Sequence, residues 1–114
     1  MGRAKDIGTL SDTDLAWAYG GAHCRAENSA GDMVFYTEGE GIIRFKGKLH
    51  KVSEDGGIGA GPWSSEEGFN SITVEIEERD GPTRELEEGS SYSAYLKVFD
   101  GSYISIPVIM TCEA

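Results

Sequence analysis

Basic side chains are scarce in this chain: 10 lysines and arginines stand against 20 aspartates and glutamates, a formal charge of −10 over 114 residues. A surface of that sign repels a phosphate backbone, so nucleic-acid binding through a basic patch is not expected, and a basic protein or a cation is the better-matched partner. The acidity also keeps a chain soluble whether or not it serves binding. Proline is rarer still, 3 residues against 16 glycines, which suits a domain of many tight turns. No run approaches the roughly 18–20 consecutive apolar residues that a membrane-spanning helix needs. The opening MGRAKD carries no apolar core of a leader, so no signal peptide is expected within it. Neither lipidation reading holds, because position 6 is Asp rather than Ser or Thr and His23 stands directly before Cys24.

Residues that commonly carry chemistry are few. His23 and His50 read as outward-facing on their strands, with no spacing that defines a metal site. There is no G-x-S-x-G or Cys-His signature, and the acidic loops lack the residue order of a calcium hand. Glu75 and Glu77 lie in an acidic run on a solvated strand face, where an acid and a base cannot be told apart. No catalytic residue, metal or cofactor is assigned, and the expectation leans away from an enzyme.

The two cysteines, Cys24 and Cys112, are too sparse for a zinc site and lack C-x-x-C spacing. Bonded to one another, they would close a loop of nearly the whole domain, worth about 4–5 kcal/mol in the chain-entropy model. The alternative is two buried free thiols in a cytosolic protein. A lasting disulfide requires an oxidising compartment, so a periplasmic or secreted location follows from the first option.

What is abundant is alternation. Hydrophobic content of 39% with 26% charged residues belongs to a folded globule of one domain. We place a flexible terminus over 1–10 and a single β domain over 11–114. Ser11-Asp12-Thr13-Asp14 resembles a helix start and Gly20-Gly21 a stop, so a short helix is predicted from about 12 to 19, with Leu15 and Tyr19 covering an end or edge of a sheet. The period then changes to two. Ala22, Cys24 and Ala26 alternate with His23, Arg25 and Glu27, and Ile72, Val74 and Ile76 alternate with Thr73, Glu75 and Glu77. Thr83 to Glu88 reads as a weak edge strand returning after Asp80-Gly81-Pro82.

Two hairpins are predicted in detail. Tyr92, Ala94, Leu96 and Val98 share a face with Ile104, Ile106, Val108, Met110 and Cys112, which favours a Phe99-Asp100-Gly101 loop pairing Leu96 with Ile104. Pro107 then points outward on an edge or bulge, and both cysteines point inward. In GIIRFKGKLHKV, residues 41 to 52, a Phe45-Lys46-Gly47 loop pairs Ile43 with Leu49. Arg44 and Lys48 then lie together opposite, and the acidic strand 73–78 is the expected source of carboxylates for them. The sum is an all-β fold: a compact antiparallel barrel or sandwich of six to eight strands with one short N-terminal helix.

One segment breaks the rhythm. Glu54 to Asn70, EDGGIGAGPWSSEEGFN, exceeds the ~12–15 residues usual for loops in compact domains, and such loops commonly carry function. Its candidate binding residues are Trp63, Ser64, Ser65, Glu66 and Phe69. Trp63 has two readings, an exposed interface anchor or a plug folded into the barrel mouth.

Gly41-Ile42-Ile43-Arg44-Phe45-Lys46-Gly47-Lys48-Leu49 and the early and terminal cysteines resemble the membrane-bound or periplasmic inhibitors of c-type lysozyme, compact β-barrels closed by a disulfide. The Ser-Gly-x-x-Tyr loop of that family is absent, so no inhibitory residue is carried over. The resemblance implies an exported, non-enzymatic binding protein. The leading expectation is therefore a monomeric binding protein, an inhibitor of a basic protein target. The alternatives are a small-molecule carrier or enzyme using the barrel interior, and an intracellular acidic protein imitating nucleic acid.

Overall fold

The computed structural model describes residues 6–16, 18, 23–38, 40–54, 62–65, 72–79, 81, 83–87 and 89–113. Ten strands are present among the described residues: β1 Ile7–Gly8, β2 His23–Glu27, β3 Met33–Glu38, β4 Glu40–Phe45, β5 Lys48–Glu54, β6 Trp63–Ser64, β7 Thr73–Glu78, β8 Arg84–Leu86, β9 Gly89–Phe99 and β10 Tyr103–Glu113. All pairings are antiparallel. The ring runs β4-β3-β2-β10-β9-β7-β6-β5, and the β4–β5 pairing closes it into an eight-stranded barrel. The two remaining strands extend existing lines. β1 pairs with Arg44 and Phe45 of β4, beyond the residues that β3 occupies. β8 pairs with Gly89–Ser91 of β9, beyond the end of β7. Arg84–Leu86 thus pairs forward onto β9.

Alternation fills the interior. Ala94, Leu96 and Val98 of β9 and Ile104, Ile106, Val108 and Met110 of β10 are buried, and they join Phe35, Ile43, Phe45, Val52, Trp63 and Val74 in one core. Each Val, Leu, Ile, Phe or Met side chain among them contributes about 1.5–3 kcal/mol when fully removed from water. The middle of the barrel is therefore packed, not hollow. A second cluster lies outside the wall, where Leu10 buries Tyr36 and Ile42 and is flanked by Leu15, Ala18 and Met33.

That outer cluster is the work of the N-terminal segment. Ile7 and Leu10, which the sequence reading left outside the β domain, are 6% and 7% exposed. Ser11 and Asp14 make the reciprocal bonds of a helix cap: Asp14 N donates to Ser11 Oγ and Ser11 N donates to Asp14 Oδ2. No α-helix follows among the described residues. Residues 12–16 form turns with i to i+3 bonds such as Ala16 N to Thr13 O. Trp17 and Tyr19 lie outside the described residues. Leu15 covers the outer face of β3 and β4, not an end of the sheet.

Both hairpin registers differ from expectation. Lys46 and Gly47 have φ of +51° and +78° and form a two-residue turn, so Phe45 pairs with Lys48, Arg44 with Leu49 and Ile43 with His50. Two left-handed residues match the strand twist, as type I′ turns do. Phe45 takes the buried position assigned by pattern to Leu49, which is 39% exposed. In the last hairpin the faces are as predicted, but the register moves by two residues: Val98 pairs with Ile104 and Leu96 with Ile106. The loop is Asp100-Gly101-Ser102, closed by Asp100 Oδ1 accepting from Ser102 N at 3.1 Å. Pro107 is exposed and outward, and β2 flanks β10 only from Ile109 onward. The missing N–H therefore falls where one side of the strand has no ladder partner among the described residues.

Cys24 and Cys112 face each other across β2 and β10 with Cα atoms 4.0 Å apart and are joined by a disulfide spanning 88 residues. It ties the first strand of the ring to the last. Gly89 opens β9 beside it, where a Cβ would collide with the Cys112 carbonyl.

Candidate functional site

The wall formed by β6, β7, β9 and β10 presents successive rows of outward side chains. The first row is Ser64, Thr73, Phe99 and Tyr103. The second is Glu75, Lys97 and Ser105, and the third is Glu77, Tyr95 and Pro107. Because the opposite face of these strands fills the core, strand parity forces these residues outward. Phe99 and Tyr103 are 52% and 56% exposed, and Tyr95 and Ile109 extend the apolar strip along the same face. A concavity of about 270 Å³ is lined by Thr73, Glu75, Lys97, Phe99 and Tyr103.

Charge on this face is unevenly used. Lys97 pairs with Glu77 and stands 6.0 Å from the Tyr103 ring centroid. The Arg79 guanidinium lies 5.2 Å from the Tyr95 centroid. Glu75 is exposed and has no ion pair among the described residues. Exposed aromatics beside an unpaired carboxylate can bury apolar surface against a partner while pairing with a cation on it.

The residues singled out by sequence divide. Trp63 is 3% exposed and packs edge-on against Phe35 with ring centroids 5.2 Å apart, so of its two readings the side chain follows the one folded into the barrel and not the exposed anchor. Ser65 is buried, with its N–H donating to Ile72 O. Ser64 lies in the same row as the exposed aromatics. Glu66 and Phe69 lie outside the described residues. Sequence did not single out Phe99, Tyr103, Tyr95 and Ile109: the expected loop put Phe99 at the turn, whereas it pairs with Tyr103 on the strand, and the other three carry no motif. The signal was present: four large apolar residues on the solvent side of two adjacent strands.

The basic hairpin finds its carboxylates elsewhere than on β7. Arg44 donates to Asp14 Oδ1 at 2.8 Å, Lys46 pairs with Asp100 and Lys51 with Glu40. The Ser11 backbone N–H, and then Arg44, hold the Asp14 carboxyl below its ordinary range against the opposing effect of burial. The register also corrects His50: it shares the inward side of β5 with buried Val52 and meets Phe45 edge-on at 6.4 Å, at one mouth of the barrel. His23 stacks on Tyr36 outside the wall, as its outward parity requires.

At the other mouth a cavity of about 220 Å³ lies over the disulfide, lined also by Trp63, Ile76, Glu78, Tyr92 and Met110. Burial, and then the Glu78 carboxylate, push the Tyr92 phenol upward. Among the described residues no three of His, Cys, Asp and Glu form a metal-binding group, and no helix is long and apolar enough to cross a membrane. Comparison with known proteins finds no matching family model, no matching curated protein and no matching solved structure.

Proposed function

We propose that this chain is an exported, non-catalytic binding protein that docks a basic protein through the outward face of β7, β9 and β10. The observation that carries the reading is the exposed pair Phe99 and Tyr103 beside the exposed Glu75 carboxylate, on a chain of net charge −10. Aromatic residues in a desolvated centre supply most of an interface's energy, and surrounding carboxylates select partners by sign and speed encounter. The Cys24–Cys112 disulfide supports an oxidising compartment, hence a periplasmic or secreted protein. Inhibition of a c-type lysozyme is the specific form of this reading that the sequence resemblance suggests.

The other readings receive less support. Leu96, Val98, Ile104 and Ile106 occupy the barrel's middle, which counts against a carrier using the whole interior. Disulfide-bonded cysteines count against an intracellular imitator of nucleic acid.

The test is calorimetric titration of the oxidised protein against a panel of basic proteins that includes a c-type lysozyme, with lysozyme activity followed in parallel. Binding to one member is expected, weakened at least tenfold by Phe99→Ser or Tyr103→Ser and by raising salt from about 50 to 500 mM. No binding across the panel, or binding that both substitutions leave unchanged, rejects the reading.

A further inference from the structure

The disulfide-bearing mouth holds polar groups that the outward face does not use. Val74 and Ile76 point into the barrel from β7, and the same alternation carries Glu78, opposite buried Ala94, to the rim. Tyr92, opposite Met110, holds the neighbouring position on β9. A carboxylate at the end of an apolar inward row is an unusual use of strand parity, since the stripe could have ended on an apolar residue. Glu78 has no ion pair or hydrogen bond among the described residues, and none of the described lining residues is cationic.

Trp63 supplies the second observation. Its side chain is buried and lines the cavity, yet the indole Nε1 has no acceptor among the described residues. Indole N–H is only a donor, and leaving such a group buried and unpaired is unfavourable. The cavity thus combines an unsatisfied donor, an unpaired carboxylate and an apolar floor of Met110, Ile76 and the disulfide. Few polar groups converging over an apolar surface is the usual composition of a ligand site.

We infer that this mouth binds a primary ammonium group carried on a short apolar chain beside a hydrogen-bond acceptor. The ammonium pairs with Glu78, the acceptor takes the Trp63 N–H, and the methylenes lie on Met110 and Ile76. Tyr92 presents its ring to the cation, an arrangement favoured by the ring quadrupole. A free amine and a lysine side chain on a bound protein carry the same chemistry. The inference does not depend on the outward face.

The test uses the oxidised full chain and isothermal titration with ω-amino amides of two to six carbons, the blocked peptide Gly-Lys-Gly, and the matching neutral amides. At least one amine is expected to bind, with affinity reduced about tenfold by Glu78→Gln, a few-fold by Trp63→Phe, and not at all by Glu75→Gln. Neutral amides should be insensitive to Glu78→Gln. Binding of the free amino amides assigns the mouth to small amines; binding of the peptide alone assigns it to lysine side chains. Absence of binding by every amine, or equal binding to the Glu78→Gln protein, overturns the inference. Should Trp63→Phe fail to fold, Glu78→Gln decides alone, because position 78 is exposed. Loss of protein docking in Phe99→Ser with amine binding intact separates this site from the outward face.

Discussion

Lys46 Nζ lies 3.0 Å from Asp100 Oδ2, so the tip of the β4–β5 hairpin is tied to the loop of the β9–β10 hairpin 54 residues later. Lys46 holds a left-handed backbone conformation to make its turn, which costs an L residue roughly 1–2 kcal/mol. Its side chain also passes near the Phe45 ring, with Nζ 5.3 Å from the centroid. The cations that make this hairpin unusual are thus largely engaged within the chain.

The Lys46 hydrogen bond, opposed by burial and aided by the Ser102 N–H, lowers the Asp100 pKa. A carboxyl with a depressed folded pKa contributes stability above its unfolded value of about 3.9, and that contribution disappears as pH falls through the folded pKa. Asp100→Asn is expected to cost up to about 1 kcal/mol at pH 7, since Lys46 is half exposed. Urea denaturation should show the gap between wild type and variant closing below about pH 4.

The observed register makes opposite demands on two neighbouring residues. Ile43 is 0% exposed and Leu49 is 39% exposed. Ile43→Ala is expected to cost about 2–5 kcal/mol by leaving a cavity, whereas Leu49→Lys should change stability by no more than about 0.5 kcal/mol. Equal losses for the two, measured by chemical denaturation, would restore the pairing of Ile43 with Leu49.

Reduction of the Cys24–Cys112 bond releases the join between the first and last strands of the ring. The native protein should titrate with no free thiols. Reduction, or the double substitution Cys24→Ser with Cys112→Ser, is expected to lower unfolding free energy by about 2–5 kcal/mol. Thiol counting and denaturation with and without a phosphine reductant read both.

Tyr36 gives an alkaline prediction. Its hydroxyl donates to Glu38 Oε2 at 2.9 Å beneath the N-terminal segment, and burial, followed by Glu38, pushes its pKa up to about 12. The unfolded chain loses this proton near pH 10 and the folded chain retains it, so stability falls as pH rises from about 10 to 12. Tyr36→Phe should flatten that part of the profile. A wild-type profile with no such fall, or an identical fall in the variant, would contradict the assignment.

How far the sequence could be read depended on whether a residue's face was decided locally. The inward sets Ala94, Leu96, Val98 and Ile104, Ile106, Val108, Met110 follow from alternation, because any register of even displacement puts them in the core. In the β4–β5 hairpin one residue of loop length decided everything. Phe45 and Leu49 are both apolar, and pattern could not say which belonged inside. Trp63 illustrates the opposite difficulty: a Gly-Pro-Trp sequence suits a loop tip, and only the β5-β6-β7 pairing places its ring against Phe35.

The sequence by itself determined the all-β class, the inward placement of both cysteines and the faces of the last hairpin, because period-two burial is a local property of each strand. The tertiary structure decided what depends on distant segments meeting: closure of β4 on β5, the Leu10 cover over Tyr36 and Ile42, and the union of Lys46 with Asp100. It also assembled both candidate sites. Phe99, Tyr103 and Glu75 become one surface only when β7 and β10 flank β9, and Glu78 and Trp63 line one cavity only at the mouth of a closed barrel.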